Sequence, residues 1–226
     1  MSWNNILFLV FPYFALAAVI VGTIWRFVKR PFSVSTFSSQ LLENKKLFWG
    51  SITWHVSIIL VLLAHLANFL IPRIMVQLES LRIGLIAAQL AGSTFGLLAL
   101  LGMLILMYRR ASTPRLMVVT TVMDMVVTLL LLFQVIAGLI LRMGHFGTHH
   151  WFVDYFVPYF ISVFRFMPQP ELITGLPWIA QAHVFDAMLL LAILPFSRLI
   201  HIPALPLRYL ICPWLVVTGD KSRQTA

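Results

Sequence analysis

The chain has 226 residues, of which 61% are hydrophobic and only 10% are charged, and its mean hydropathy is +0.95. Soluble proteins carry about a quarter charged residues, so this composition excludes a soluble enzyme and predicts an integral membrane protein. The single cysteine, Cys212, is expected to be a free thiol, and an iron–sulfur cluster, which usually needs four thiolates, would have to lie on a partner.

Five segments of the chain are long and apolar enough to cross the hydrocarbon layer, which requires about 20 residues per helix. They are residues 6–25, 47–71, 83–108, 116–141 and 172–202. Asp124 in the fourth and Asp186 in the fifth are expected to pair with polar groups of the bundle, with proton conduction as the alternative. No basic residue precedes the first segment, so we expect a retained helix rather than a signal peptide. The pattern predicts an all-α integral membrane bundle of five transmembrane helices, a single domain over residues 1–226.

Basic residues are unevenly distributed among the connections between these segments. With the amino terminus outside, twelve of the sixteen lie on the cytoplasmic side, namely Arg26, Lys29, Arg30, Lys45, Lys46, Arg109, Arg110, Arg115, Arg198, Arg208, Lys221 and Arg223. The other four lie outside, namely Arg73, Arg82, Arg142 and Arg165. Because cytoplasmic loops are enriched in Lys and Arg, the amino terminus is predicted to be outside and the carboxyl terminus cytoplasmic. The net charge of +9 is then explained by basic residues that orient the helices in the membrane and form an inner face to which a soluble partner could bind. Nucleic-acid binding is therefore not expected.

One long connection, from Arg142 to Glu171, is rich in aromatic residues. They recur at four-residue intervals, interrupted by Pro158, as Trp151, Tyr155 and Tyr159 with Phe152, Phe156, Phe160 and Phe164 beside them. The pattern predicts a helical segment in the outer interface, either as an anchoring belt or as a cover over a ligand site. His145, His149 and His150 in this connection are expected to be solvated, with proton transfer or the wall of a quinone site as the alternative.

Four histidines lie inside the predicted membrane helices, His55 and His65 in the second and His183 and His201 in the fifth. An imidazole in hydrocarbon is costly unless something satisfies it, so such residues are functional candidates. Neutral imidazole is a standard axial ligand of haem iron, and four histidines shared by two segments predict two haems with two histidines each. No Cys-x-x-Cys-His sequence is present, which predicts non-covalent b haems. For any single histidine, a hydrogen bond to a neighbouring helix is the alternative.

The depths of the histidines in the membrane predict how they pair. His55 and His65 each lie roughly 12 to 13 Å, by helix rise, from the nearer charged end of their helix, so one falls in each leaflet. His183 follows the start of the fifth helix at the outer level, and His201 lies near its inner end. Because the two helices are antiparallel, His65 is predicted to pair with His183 and His55 with His201.

The two spacings do not match in length. His183 and His201 are 18 residues apart, about 27 Å of helix, whereas the 10 residues from His55 to His65 span about 15 Å. The surplus is expected to be absorbed by helix crossing, by side-chain reach or by a kink near Pro195. In a continuous helix, 18 residues make about five whole turns, which predicts that both imidazoles lie on one face.

Several runs of residues are similar to those of one known family. They are Pro195 with the following Phe196–Pro203, Trp54-His55 through to His65, Ser38-Ser39-Gln40, and Pro114-Arg115 ahead of Thr120-Thr121. Together with the histidine spacings of 10 and 18, they resemble the gamma subunit of respiratory nitrate reductase, a di-haem membrane cytochrome b. The resemblance extends from about residue 11 to residue 209. After Tyr209 the family usually has a basic tail, whereas this chain is largely apolar there.

The resemblance implies specific ligands and partners. His55 and His201 would bind the haem nearer the cytoplasm, and His65 and His183 the outer haem. The chain would be the quinol-oxidising subunit of the enzyme in a prokaryotic inner membrane. It would pass electrons through the outer and then the inner haem to an iron–sulfur subunit and a molybdenum catalytic subunit on the cytoplasmic face, with no nitrate chemistry on this chain.

Two arginines are further candidates for the site. Arg82 is the candidate for contact with quinol in the connection between the second and third helices. Arg198 lies three residues before His201. It would either pair with a propionate of the inner haem or extend its side chain to the membrane interface.

Three other functions are compatible with the residues. The first two are homologous cytochrome b subunits of a nitrite oxidoreductase and of a sulfite-reductase or heterodisulfide-type complex, which partner subunits would distinguish. The third, from a different class, is a haem-free membrane transporter or assembly factor. Reduced b-type alpha bands in the absorption spectrum of the purified chain would exclude it.

Overall fold

The structure is a computed structural model that describes residues 3–29, 45–144 and 152–203. Every regular element within these ranges is helical, which agrees with the predicted all-α class. Five helical spans are long and apolar enough to cross a membrane: the first Trp3–Lys29, the second Leu47–Leu70, the third Arg82–Ser112, the fourth Val122–Gly144 and the fifth Trp178–Phe196. Shorter helices connect them at Pro72–Ser80, Pro114–Val118, Phe152–Phe164 and Glu171–Thr174.

The fourth span begins later than the predicted residue 116. Pro114–Val118 forms a separate short helix, and the long helix starts only at Val122. A reciprocal cap produces this start, because the Thr121 amide donates to Asp124 Oδ2 (3.0 Å) and the Asp124 amide donates to Thr121 Oγ1 (3.2 Å). Such a capping arrangement satisfies amides that have no partner inside the helix.

The prediction of one continuous helix over residues 172–202 is wrong. The helix of the fifth span begins at Trp178 and ends at Ile193, and two short 3-10 turns follow, Leu194–Phe196 and Arg198–His201. Pro195 lacks an amide hydrogen and its ring obstructs the preceding turn, which ends a regular helix. Ser197 then adopts an extended backbone (φ −117°, ψ −176°), so the turn that carries His201 is no longer coaxial with the helix that carries His183. This break absorbs the surplus length, and the expected common helical face of the two histidines does not exist.

The first span holds this break in place. Arg26 Nη1 donates to the carbonyls of Pro195 (2.6 Å) and Ser197 (3.0 Å). Backbone carbonyls released inside a membrane protein must find donors, because lipid offers none. Gly22 lies one turn before Arg26, and a Cβ there would lie 2.7 Å from Pro195 Cγ, so only glycine permits this close approach. The position of His201 therefore depends on the first span.

The order of packing leaves space between the histidine-bearing spans. The second span packs most extensively on the third, the third on the fourth, the fourth on the fifth, and the fifth on the first. Gly102 allows the second and third spans to approach closely, since a Cβ there would lie 2.5 Å from the Trp54 amide nitrogen. The second and fifth spans, in contrast, have no extensive backbone contact within the described residues. Side chains or a bound group must therefore bridge them.

The aromatic segment of the long connection forms the helix Phe152–Phe164, in agreement with the predicted helical spacing. Pro158 does not interrupt it, because Pro158 occupies the first turn after a π-helical turn, where its missing amide hydrogen costs nothing. Fully buried Tyr159 donates from its hydroxyl to the Phe8 carbonyl (2.9 Å), and Tyr13 donates to the Val163 carbonyl (3.2 Å). These bonds attach the aromatic helix to the first span.

Candidate functional site: two histidine pairs

The structure brings together His55, on the second span, and His201, in the turn that follows the fifth span. Their ring centroids lie 6.4 Å apart, with 63° between the ring planes. A first-row metal ion bonds an imidazole nitrogen at about 2.0 to 2.1 Å, so two imidazoles on opposite sides of one ion have centroids roughly 6 to 6.5 Å apart. The separation of His55 and His201 matches the distance across one shared metal ion.

Hydrogen bonds to backbone carbonyls hold three of the four histidines in the same tautomer. His55 Nδ1 donates to the Ser51 carbonyl (2.8 Å), His65 Nδ1 to the Val61 carbonyl (2.8 Å) and His201 Nδ1 to the Arg198 carbonyl (2.6 Å). A carbonyl only accepts, so the hydrogen of each neutral ring lies on Nδ1 and the lone pair on Nε2. This arrangement is typical of histidines that bind a metal, because the bond fixes both the tautomer and the direction of the ring.

His183 differs from the other three histidines. Its Nδ1 is buried and has no hydrogen-bond partner, and its Nε2 lies 3.4 Å from the side-chain amide of Gln134. The ring also packs on Gly138, where a Cβ would lie 3.2 Å from His183 Cε1. Buried polar atoms without partners are rare in folded proteins and indicate a place where a further group binds.

The aromatic helix contacts one member of the second predicted pair, His65, and His65 acts electrostatically on His183. The ring of Phe152 packs edge-on against His65, with centroids 5.3 Å apart, and Phe69 packs on Phe152 (5.6 Å). Of the two expectations for the aromatic segment, an anchoring belt or a cover, these contacts favour a cover over this histidine pair. Within the described residues, no group of three or more histidine, cysteine or carboxylate side chains could hold a metal ion. An axially ligated haem requires only a pair of ligands from the protein.

The carboxylates and arginines of the sequence analysis have specific places in the structure. Arg198 Nε lies 2.6 Å from Asp124 Oδ1, and the Asp124 side chain is only 5% exposed, so this arginine joins the turn after the fifth span to the fourth span. Asp186 is buried. With the oxygen and nitrogen of the Gln134 amide assigned so that its neighbours are satisfied, the amide nitrogen donates to Asp186 Oδ2 (2.7 Å) and to the His183 carbonyl (3.1 Å). Both carboxylates thus have the polar partners expected of them. Arg82 is exposed at the first residue of the third span.

Sequence reasoning missed Gln134 and Gly138, which contact His183 from the fourth span. Their four-residue spacing places them on one helix face, and that spacing was the available signal. His145, His149, His150, Trp151 and Cys212 lie outside the described residues, so their expected roles stay predictions.

Comparison with known proteins assigns the chain to a family. The profile of the nitrate reductase gamma subunit matches residues 4–220. The chain is 32% identical over 212 residues to the nitrate reductase-like protein NarX of Mycobacterium tuberculosis, which covers 92% of this chain and 32% of that protein, so the chain spans about a third of this relative. It is 30% identical over 224 residues to the nitrate reductase gamma chain of Bacillus subtilis (94% of this chain, 97% of that one). It is 29% identical over 214 residues to the respiratory nitrate reductase 1 gamma chain of Escherichia coli (92% and 93%). The chain therefore belongs to the nitrate reductase gamma subunit family.

Proposed function

We propose that this chain is the quinol-oxidising cytochrome b subunit of a respiratory nitrate reductase and binds two b haems in a prokaryotic inner membrane. The observation that carries the proposal is the pair His55 and His201, whose ring centroids lie 6.4 Å apart although the described parts of the second and fifth spans have no extensive backbone contact. Family membership supports the assignment to nitrate reductase.

Each pair of histidines would hold one haem. His55 and His201 form the inner site, and His65 and His183 the outer site. When bound, the haem supplies a reversible one-electron carrier. The chain supplies the imidazoles, and the carbonyls of Ser51, Val61 and Arg198 fix their direction.

The two sites differ in their surroundings, which supports different roles. His183 is half-buried, with a buried Nδ1, and the aromatic helix packs on His65, so the outer site is shielded from water. Quinol would be oxidised beside this shielded pair, with its protons released to the side of the amino terminus. His55 and His201 are exposed, as suits a site that passes electrons to an iron–sulfur subunit and then to a molybdenum subunit on the cytoplasmic face.

Pyridine haemochrome analysis of the purified complex tests the proposal directly. We expect two b haems per chain, both reducible by quinol, because the chain provides four histidines that form two proposed pairs. A haem-free preparation from cells that are well supplied with haem would contradict the proposal and favour a transporter or an assembly factor.

Gly138→Ala is expected to weaken the outer haem site while the inner site stays intact. The new methyl group would lie 3.2 Å from His183 Cε1, closer than ordinary contact, so the imidazole must shift. Overpacking of this kind costs about 1 to 3 kcal/mol, which corresponds to roughly a 5-fold to 150-fold loss of affinity. Haem occupancy measured by optical redox titration should fall at the outer site only.

Gly144→Ala on the same span is the matched control, because a Cβ there meets nothing within 4 Å. Equal outer-haem occupancy in both variants would show that Gly138 does not position His183.

A further inference from the structure

The fourth span carries Gln134, Gly138 and Arg142 at four-residue spacing. The first two contact the fifth span, since Gln134 lies 3.4 Å from His183 Nε2 and Gly138 packs on the His183 ring. Arg142 follows one turn after Gly138 and turns its side chain toward the third span. A cation therefore lies one turn beyond the two residues that contact His183.

The third span is shaped to receive the Arg142 side chain. A Cβ at Gly92 would lie 2.9 Å from Arg142 Nε and 3.4 Å from both Cζ and Nη2, so the guanidinium lies directly on the glycine backbone. A residue with any side chain at position 92 would displace it. Arg142 is therefore held against the bundle, where an arginine that only anchors a helix end would extend to the interface.

The Arg142 guanidinium is only partly satisfied in this position. Its Nε is fully buried and has no hydrogen-bond acceptor. Glu79 on the helix Pro72–Ser80 attracts the guanidinium, and the guanidinium acts electrostatically on His65. A buried donor on a charged group is costly to leave unpaired, so Nε indicates a missing acceptor where Arg142 lies against Gly92.

We propose that Arg142 is the positioning cation of the outer site and that its Nε–H donates to an oxyanion bound beside His65. This inference rests on the proposed function. The acceptor is either a propionate carboxylate of the haem held by His65 and His183 or an oxygen of quinol as it loses its protons. Both offer the same chemistry, and arginine suits it because its planar guanidinium stays charged and pairs well with oxyanions.

The two sources of the oxyanion predict different results for Arg142→Gln. With a propionate, the loss of the nearby positive charge stabilises the oxidised haem, so the equilibrium constant for reduction of the outer haem falls about tenfold, or about 59 mV for one electron. With quinol as the source, the KM for duroquinol rises about tenfold, while the midpoint potentials of both haems stay as in the native protein. Neither source changes the midpoint of the inner haem.

Optical redox titration and duroquinol kinetics of the membrane complex measure both quantities. The matched control is Arg165→Gln, which removes an exposed arginine at the end of the aromatic helix and should change neither. Arg142→Lys keeps the positive charge, so it should restore most of the native value of the outer-haem midpoint potential or of the duroquinol KM, whichever Arg142→Gln changes.

Haem content of the native complex separates failure of this inference from failure of the proposed function. A native chain that contains no haem would contradict both the proposed function and this inference. A native chain with two haems, together with an Arg142→Gln variant in which outer midpoint and duroquinol KM are both unchanged, overturns the inference alone. If the Arg142→Gln protein does not accumulate, Gly92→Ala is used instead, because this variant keeps every charge and displaces the guanidinium. An outer-haem midpoint potential and a duroquinol KM that are both unchanged in Gly92→Ala would overturn the inference.

Discussion

His65→Ala and His183→Ala are each expected to remove the same haem, the outer one, and to abolish quinol oxidation by the membrane complex. The two imidazoles lie on different spans, and each is the only histidine that its span contributes to the proposed outer site. Loss of either imidazole would leave the haem with a single protein ligand and a cavity where the ring was. The inner pair shares none of these residues and should keep its haem.

Redox titration of the two variants checks this expectation, with haem content measured beside it. Asn68→Ala is a suitable control on the same span as His65, because Asn68 is half-buried and its amide donates to the Ala64 carbonyl one turn away on its own helix. If His65→Ala and His183→Ala removed different haems, the assignment of these two residues to one site would be wrong.

Replacement of His55 or His201 by alanine is expected to have the second large effect and to separate the two halves of the electron path. The outer haem should remain and should still be reduced by quinol, but electrons should no longer reach the partner subunits, so nitrate reduction with quinol as donor should be lost. The physical reason is distance, because the inner pair lies near the opposite end of the two spans from the outer pair.

Stopped-flow reduction of the outer haem, followed with and without nitrate, measures both steps on the same sample. An artificial donor that reduces the catalytic subunit directly should still support nitrate reduction. The pairing would be refuted if His55→Ala and His183→Ala eliminated one and the same haem.

Hydrophobicity predicted most of the helices, and tertiary contacts decided the rest. Residues 47–71 and 83–108 correspond closely to the helices Lys45–Leu70 and Arg82–Ser112, because a long apolar run in lipid has no alternative to a helix. The fifth span needed more information. The mismatch between 18 and 10 residues left helix crossing, side-chain reach and a kink near Pro195 open, and the structure has a break at Pro195. Its form depends on Arg26, which is 169 residues away in sequence, and no local pattern identifies such a partner.

The same distinction applies to the candidate site. The four histidines were recognisable because ionisable residues are rare in membrane helices. Gln134 and Gly138 were not, because a glutamine or a glycine in an apolar helix has several ordinary roles, and only the fold shows that both contact His183. Asp124 was expected to have a polar partner, but its choice of Arg198 depends on how the fourth and fifth spans pack.

The break at Ser197 has a consequence for how the protein is made. Membrane segments enter the bilayer in the order of their synthesis. Arg26 therefore cannot form its hydrogen bonds to the carbonyls of Pro195 and Ser197 until those residues, 169 and 171 positions later, have been synthesised. The proposed partners of His55 and His65 are likewise synthesised late, because His201 follows His55 by 146 residues and His183 follows His65 by 118. In the proposed function, a nascent chain that ends before Trp178 would have His55 and His65 without their partners. The outer haem site would then become complete only after residue 183 is made, and the inner site only after residue 201.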